Sequence, residues 1–135
     1  MTSQISGSYI LTLQVNETFT TVIGALGPYA FDPGTYIYIG SAKRGIASRL
    51  ARHIRLATEK SGKIHWHIDY LLVKKEVTLM EVVPYPDEDE CTISQHFAAH
   101  PNVSTPVPGF GASDCKNKCP AHFFRIDESS TEISE

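Results

Sequence analysis

Two tyrosines, an arginine and a histidine with the chemistry to act on a phosphate stand close together in this sequence. Tyr36 and Tyr38 are two residues apart in a β-branched and aromatic segment, so they would share one face of a strand. Arg49 and His53 are four residues apart, so they would be neighbours on one face of a helix. A guanidinium matches phosphate oxygens with its planar donors, while a phenol and an imidazole can move protons. These residue types and spacings predict a site that cleaves phosphodiester bonds.

The same segment resembles the GIY-YIG nuclease superfamily. Tyr38-Ile39-Gly40 reproduces the second half of that name, and Gly7-Ser8-Tyr9 corresponds to the first half. Arg49 and His53 follow in the order that superfamily members show. Over residues 7–126 the chain is similar to a poorly characterised, Uri-type branch of the superfamily, some members of which are fused to an endonuclease III domain.

The resemblance implies a metal-dependent endonuclease that hydrolyses phosphodiester bonds in DNA, in the repair or processing of branched structures. Tyr38 is the first candidate to activate water, helped by a cation and by Arg49, because a phenol of pKa about 10 needs positive charge nearby to act as a base. Tyr9 is the second candidate. Since 28 residues lie between Tyr9 and Tyr38, more than the superfamily usually shows, the sequence leaves the position of Tyr9 open. Arg49 would stabilise the transition state, and His53 would hold a tyrosine or contact phosphate.

A single divalent metal ion is implied by the same resemblance. Superfamily members bind one cation through a glutamate on a later helix, and Glu90 matches that position. One carboxylate together with waters and phosphate oxygens suits Mg²⁺ or Mn²⁺. Glu88 and Asp89 are alternative ligands, and acidic residues here would also favour the start of a helix through its dipole.

A second cluster, His65, His67 and Asp69, has two interpretations that depend on local structure. On a strand all three would share one face, as in a metal triad, whereas on a helix only His65 and Asp69 would be neighbours. An aspartate that orients a histidine is also a common acid–base pair. We expect a structural or substrate-groove role for this cluster.

The three cysteines allow one further metal site. Cys115, Cys119 and His122 have spacing found in structural zinc sites, and Cys91 could be a fourth ligand. Buried thiols beside a packed histidine are the commoner arrangement, and we expect that one here.

Positive charge is concentrated in one segment. Seven of the twelve basic residues lie between positions 43 and 63, where Glu59 is the sole acidic residue. The net charge is −3, and it would be +1 without the four acidic residues that follow Ile126. Such a segment suits a polyanion partner, although a solvated helix face is the commoner explanation of a charge run. We expect it to contact DNA, and the candidate substrate-binding residues are Gly40, Ser41, Lys43, Arg44, Arg52, His65 and His67.

Composition favours one globular, intracellular domain. The chain has 135 residues, of which 41% are hydrophobic and 20% are charged, values typical of globular proteins. It has no apolar run long enough to span a membrane and no signal peptide, and its three cysteines favour a reducing compartment. We therefore expect a cytoplasmic protein with a single domain over residues 1–126 and a disordered acidic tail over 127–135.

Periodicity and turn residues predict an α+β fold, with a small, mostly antiparallel sheet flanked by helices. Strands are predicted over residues 7–15, 18–23, 35–39, 77–83 and 122–126, the second returning from the first as a hairpin and the fourth ended by Pro84 and Pro86. Helices are predicted over residues 45–57, 65–73 and 87–100, and irregular segments over 24–34 and 101–120. In the first helix, Ile46, Leu50 and Ile54 form the expected apolar stripe, and His53 lies off it.

Two alternatives to an endonuclease remain open at the level of sequence. A nuclease-like domain could bind nucleic acid without cutting it, or dock on a DNA-repair enzyme, as the fusion to endonuclease III in relatives suggests. The chain could also be a zinc-stabilised interaction domain without a nucleic-acid role.

Overall fold

The structure of the protein is a computed structural model that describes residues 7–42, 45–64, 66–86, 103–107 and 122–126. Its strands are β1 (Gly7–Val15), β2 (Phe19–Val22), β3 (Pro28–Phe31), β4 (Gly34–Ala42), β5 (Val77–Pro86), β6 (Val103–Ser104) and β7 (Phe123–Ile126). Its helices are α1 (Ile46–Glu59) and α2 (His67–Leu72), with a short 3₁₀ helix at Gly24–Leu26.

The centre of the fold is a five-stranded sheet in the order β5-β1-β4-β7-β6. Every pairing within it is antiparallel, so the predicted α+β class with a mostly antiparallel sheet is confirmed. Strand β1 has the predicted bounds and lies between β4 and β5, where Tyr9 is the partner of Gly40. The long sequence between β1 and β4 therefore does not separate them in space.

Residues between β1 and β4 form a two-stranded sheet of their own, in which β2 pairs with β3. The prediction that residues 18–23 return along β1 is therefore wrong, and so is the prediction that 24–34 is irregular. Phe19 and Phe31 are register partners with stacked rings, and both are buried in the main core together with Ile23. Strand β2 is therefore stabilised by pairing and apolar packing with β3. The small sheet of β2 and β3 accommodates much of the 28-residue segment between Tyr9 and Tyr38.

Alternation along the strands gives the sheet two apolar faces. On one face, Tyr9, Leu11 and Tyr38 belong to the main core, into which α1 and α2 also pack. On the other face, Ile37 and Phe124 belong to a second, smaller buried cluster. Both helices therefore position their side chains against the face that carries the two tyrosines.

The buried face of α1 differs from the predicted stripe. Ile54 is 45% exposed, whereas His53 is fully buried together with Ile46 and Leu56. The residues at positions 46, 53 and 56 are buried because they lie on the side of the helix that faces the sheet. The predicted placement of His53 off the apolar stripe is therefore wrong, and an imidazole occupies the core.

Two other segments depart from the sequence prediction. Strand β5 continues through Pro84 to Pro86, which an edge strand of the described sheet tolerates because the absent N–H groups need not join a ladder. Strand β6 lies inside the segment predicted to be irregular and pairs with β7. The helix predicted over 87–100 and the tail over 127–135 lie outside the described residues. No helix in the described part of the chain is long and apolar enough to cross a membrane.

Candidate active site

A hydrogen bond between Tyr9 and His53 joins β1 to α1 inside the core. The Tyr9 hydroxyl oxygen lies 2.9 Å from Nε2 of His53, and the ring centroids are 5.5 Å apart. Tyr9 is 1% exposed and His53 is 0% exposed. The structure thus brings together two predicted site residues, and it settles the position of Tyr9 that the sequence left open.

Tyr38 and Gly40 lie beside this pair on β4. The ring centroids of Tyr38 and Tyr9 are 6.4 Å apart, and Tyr38 is buried. A Cβ atom added to Gly40 would lie 2.5 Å from both Cζ and the hydroxyl oxygen of Tyr9. Gly40 lies within β4. Its lack of a side chain makes room for the Tyr9 ring.

Replacing Gly40 with alanine is therefore expected to destabilise the fold by about 1–3 kcal/mol, the usual cost of overpacking a core. Denaturant unfolding of both proteins would measure this loss as a change in the free energy of unfolding. The exposed neighbour Ser41 supplies the control, because Ser41→Ala should change stability by no more than about 0.5 kcal/mol. In a Tyr9→Ala background the cost of Gly40→Ala should largely disappear. An equal cost in both backgrounds would contradict the assigned contact.

Arg49 is held by two contacts near the end of β4. Its Nη1 donates to the carbonyl oxygen of Ser41 at 2.8 Å, and its Cζ lies 4.1 Å from the centroid of the Trp66 ring. The guanidinium of Arg52 contacts the same ring, with its Cζ at 4.9 Å from the centroid. Cation–π contact with an indole favours a fixed guanidinium plane. Trp66 therefore positions Arg49, a role that sequence analysis missed although Trp66 stands between two predicted site histidines.

Asp69 lies next to His53 and is fully buried. Its Oδ2 accepts from the backbone N–H of Trp66 at 3.0 Å and lies 3.1 Å from Nη1 of Arg52. Its Oδ1 is 3.8 Å from Nδ1 of His53. Residues 67–72 are helical, as predicted for this segment, so the alternative in which His65, His67 and Asp69 share one face of a strand does not apply. Asp69 instead caps the start of α2 and balances the charge of Arg52.

Burial lowers the pKa of His53 to about 4, although the neighbouring Asp69 acts in the opposite direction. Arg49 and Arg52 add to the lowering, since positive charge disfavours an imidazolium. His53 is therefore neutral near pH 7, with one N–H and one acceptor nitrogen. A neutral imidazole can form a hydrogen bond with the Tyr9 phenol without adding a charge to the core.

The remaining predicted residues in the described ranges have mainly structural contacts. The Nη2 of Arg52 donates to the carbonyl oxygen of Lys63 at 2.6 Å, which holds this arginine against the chain as well as against Asp69. His67 begins α2, is half-buried, and has a pKa lowered by burial. His122 is buried just before β7. Tyr36 packs in the core, with its hydroxyl donating to the carbonyl oxygen of Asp32 at 2.7 Å.

Several predicted site residues lie outside the described residues: Lys43, Arg44, His65, Glu88, Asp89, Glu90, Cys91, Cys115 and Cys119. Within the described ranges, no group of three histidine, cysteine, aspartate or glutamate side chains could hold a metal ion. The magnesium and zinc ligand predictions therefore stay predictions.

The fold and site define a small α+β domain with a buried tyrosine–histidine pair next to a fixed arginine. Residues 8–135 match the family described as a domain of unknown function, DUF123, and the chain belongs to that family. Neither the curated proteins nor the solved structures include a match to this chain.

Proposed function

We propose that the protein is a metal-dependent endonuclease of GIY-YIG type, which hydrolyses phosphodiester bonds in DNA during repair or processing of branched structures. The observation that carries the proposal is the 2.9 Å contact between the Tyr9 hydroxyl and His53, with Tyr38 and Arg49 beside it. These four residues match the superfamily motifs in order, and they come from β1, β4 and α1. Convergence of motif residues from three elements supports a shared chemical task.

In the proposed reaction the protein accepts one proton from water and stabilises the negative charge that develops on the phosphate. A water gives a proton to a tyrosine oxygen as the tyrosine passes its own proton to a neighbouring acceptor. The resulting hydroxide bonds to phosphorus while the P–O bond to the leaving DNA oxygen breaks. Tyr9 is favoured for this step because its hydroxyl is already paired with an imidazole, and Tyr38 is the alternative. Arg49 stabilises the extra charge on the phosphate oxygens with its planar donors. Its contacts with Ser41 and Trp66 hold the guanidinium in place before substrate binds.

We propose one Mg²⁺ or Mn²⁺ ion as cofactor, with Glu90 as its predicted ligand. Asp69 does not fit this task, since it is fully buried and its oxygens contact Arg52 and the Trp66 N–H. A bound cation would supply positive charge to the phosphate and make water more acidic. The ligand prediction rests on the resemblance, because Glu90 lies outside the described residues.

The proposed substrate contact is the basic segment on and around α1. Arg55 and Lys63 are exposed there and could meet the phosphate backbone. Lys60 is held differently, with its Nζ donating to the carbonyl oxygens of Leu72 and Val77 at 3.2 and 2.5 Å. The segment thus combines cations that stabilise the fold with cations that are open to a polyanion.

Cleavage of a fluorescent panel of single-stranded, duplex, flap and junction DNAs, in Mg²⁺, in Mn²⁺ and in EDTA, tests the proposal. We expect wild-type protein to cut at least one of these DNAs with metal, EDTA to abolish cleavage, and Glu90→Ala to remove it. Cleavage that persists in EDTA would contradict the metal requirement. Absence of cleavage of every DNA with either metal would overturn the proposal that the protein is an endonuclease.

A non-cleaving DNA-binding module is the second candidate, and burial favours it. Tyr9, Tyr38 and His53 are 1%, 6% and 0% exposed, which suits core packing as well as catalysis. A module of this kind should bind DNA with an affinity that falls steeply with salt while leaving the DNA intact. Titrations at several salt concentrations, run beside the cleavage panel, distinguish the two functions.

A further inference from the structure

Asp69 and Tyr9 contact the two different nitrogens of one imidazole. Nε2 of His53 lies 2.9 Å from the Tyr9 hydroxyl oxygen, while Nδ1 lies 3.8 Å from Oδ1 of Asp69. All three side chains are buried, with at most 1% exposed. They therefore form a Tyr9–His53–Asp69 row inside the core, which connects β1, α1 and α2.

The carboxylate of Asp69 is held in place by its own contacts. Nη1 of Arg52 lies 3.1 Å from Oδ2 and donates to Oδ1 at 3.3 Å, and the backbone N–H of Trp66 donates to Oδ2. Arg52 is in turn anchored on the Lys63 carbonyl oxygen and on the Trp66 ring. This network fixes the position of the negative charge relative to His53.

A fixed negative charge beside Nδ1 selects one form of a neutral imidazole. Its single N–H is electrostatically favoured at the nitrogen nearer the carboxylate, because an ionised carboxylate accepts hydrogen bonds and cannot donate them. With the proton on Nδ1, Nε2 must accept, so the Tyr9 hydroxyl must donate to it. In this arrangement the Tyr9 proton points towards His53, and a phenol oxygen can accept hydrogen bonds as well as donate one.

We propose that Asp69 is a positioning residue, which holds His53 with its proton on Nδ1 so that Tyr9 donates to Nε2. For catalysis this inference rests on the proposed function. When water gives a proton to the Tyr9 oxygen, the Tyr9 proton moves to Nε2 of His53, and the imidazolium formed lies beside the Asp69 carboxylate. The hydroxide that remains forms a bond to phosphorus while the P–O bond to the leaving DNA oxygen breaks. That oxygen takes up a proton from solvent, and His53 later releases its extra proton to solvent, so bonds and protons balance.

Nitrogen NMR of the free wild-type protein with ¹⁵N-labelled histidine tests the tautomer without any substrate. Protonated and unprotonated ring nitrogens have well-separated shifts, and we expect the protonated shift at Nδ1 of His53 near pH 7. The His53 signals are assigned by their loss in His53→Gln. A protonated shift at Nε2 would overturn the inference. This measurement is independent of cleavage, so it decides the positioning role even where the DNA panel shows no activity.

A pair of matched variants then tests what Asp69 does for the reaction. We expect Asp69→Asn to lower kcat on the order of 10²- to 10⁴-fold with little change in KM, as when a tautomer-fixing aspartate is lost from a catalytic triad. Its His53 should also lose the preference for Nδ1–H. The control Glu81→Gln removes an exposed carboxylate on β5 and should leave both readouts unchanged. A folded Asp69→Asn protein with wild-type tautomer and wild-type kcat would overturn the inference, and the wild-type spectrum decides the question if this variant does not fold.

Discussion

Substitution of Arg49 by alanine is expected to reduce DNA cleavage on the order of 10³-fold, with the protein still folded. Arg49 is half-buried, and its guanidinium is already oriented by the Ser41 carbonyl oxygen and the Trp66 ring. A donor group fixed in advance contributes most where charge develops in the transition state. Single-turnover cleavage of the best DNA in the panel, with excess enzyme, would measure the chemical step directly.

Two variants on the same helix separate this role from simple charge. Arg49→Lys keeps the charge but loses the planar fork of donors, so it should recover only a small part of the rate. Arg55→Ala removes one exposed cation from α1, so it should weaken DNA affinity and its salt dependence while leaving the cleavage step unchanged. An equal loss of cleavage in Arg49→Ala and Arg55→Ala would mean that Arg49 acts through binding alone.

The strands that carry the tyrosines could be predicted from the sequence, but the pairing of the inserted strands could not. Alternation of apolar residues gave β1 its bounds, because one face of that strand is buried against the helices. For Phe19–Val22 the same local pattern is compatible with either neighbouring strand as partner. The choice of β3 depends on packing of Phe19 against Phe31, a tertiary contact that no local pattern contains.

The site could be predicted where spacing along one element was enough. Arg49 and His53 are neighbours on α1, as their separation of four residues requires. The burial of His53 was nevertheless not predicted, and this residue was expected off the apolar stripe, because a polar residue at a core position is explained only by its partner. That partner is Tyr9, which is 44 residues away in the chain. Trp66 was missed, and the partners of Asp69 were not predicted, for the same reason, since these contacts join the start of α2 to α1.

The same contacts that place the candidate catalytic groups also hold the helices on the sheet. Arg52 links α1 to Asp69 of α2 through a partly buried ion pair, and Tyr9 links β1 to His53. Removal of one partner from a buried pair leaves the other unsatisfied, at a cost of about 1–3 kcal/mol. Loss of activity in this protein therefore has to be measured together with the free energy of unfolding, so that a chemical role is distinguished from a structural one.

Removal of one oxygen atom, in Tyr9→Phe, is expected to lower kcat on the order of 10²- to 10⁴-fold, the usual contribution of a general acid–base group. The ring remains to fill the space over Gly40, while His53 loses the hydroxyl at Nε2. Stability should fall by about 1–3 kcal/mol, because a buried acceptor is left without its partner. Cleavage kinetics and denaturant unfolding of the same protein preparation would measure the two effects separately.

Tyr36→Phe is the matched control for Tyr9→Phe, since it also removes a hydrogen-bonded phenol oxygen from a core tyrosine, here the donor to the Asp32 carbonyl oxygen. It should lose a similar amount of stability and retain the wild-type kcat. Tyr38→Phe decides between the two tyrosines proposed to activate water, and we expect a smaller loss of kcat than in Tyr9→Phe. If Tyr38→Phe abolishes cleavage while Tyr9→Phe retains it, Tyr38 takes the proton from water and the Tyr9–His53 hydrogen bond serves to stabilise the fold.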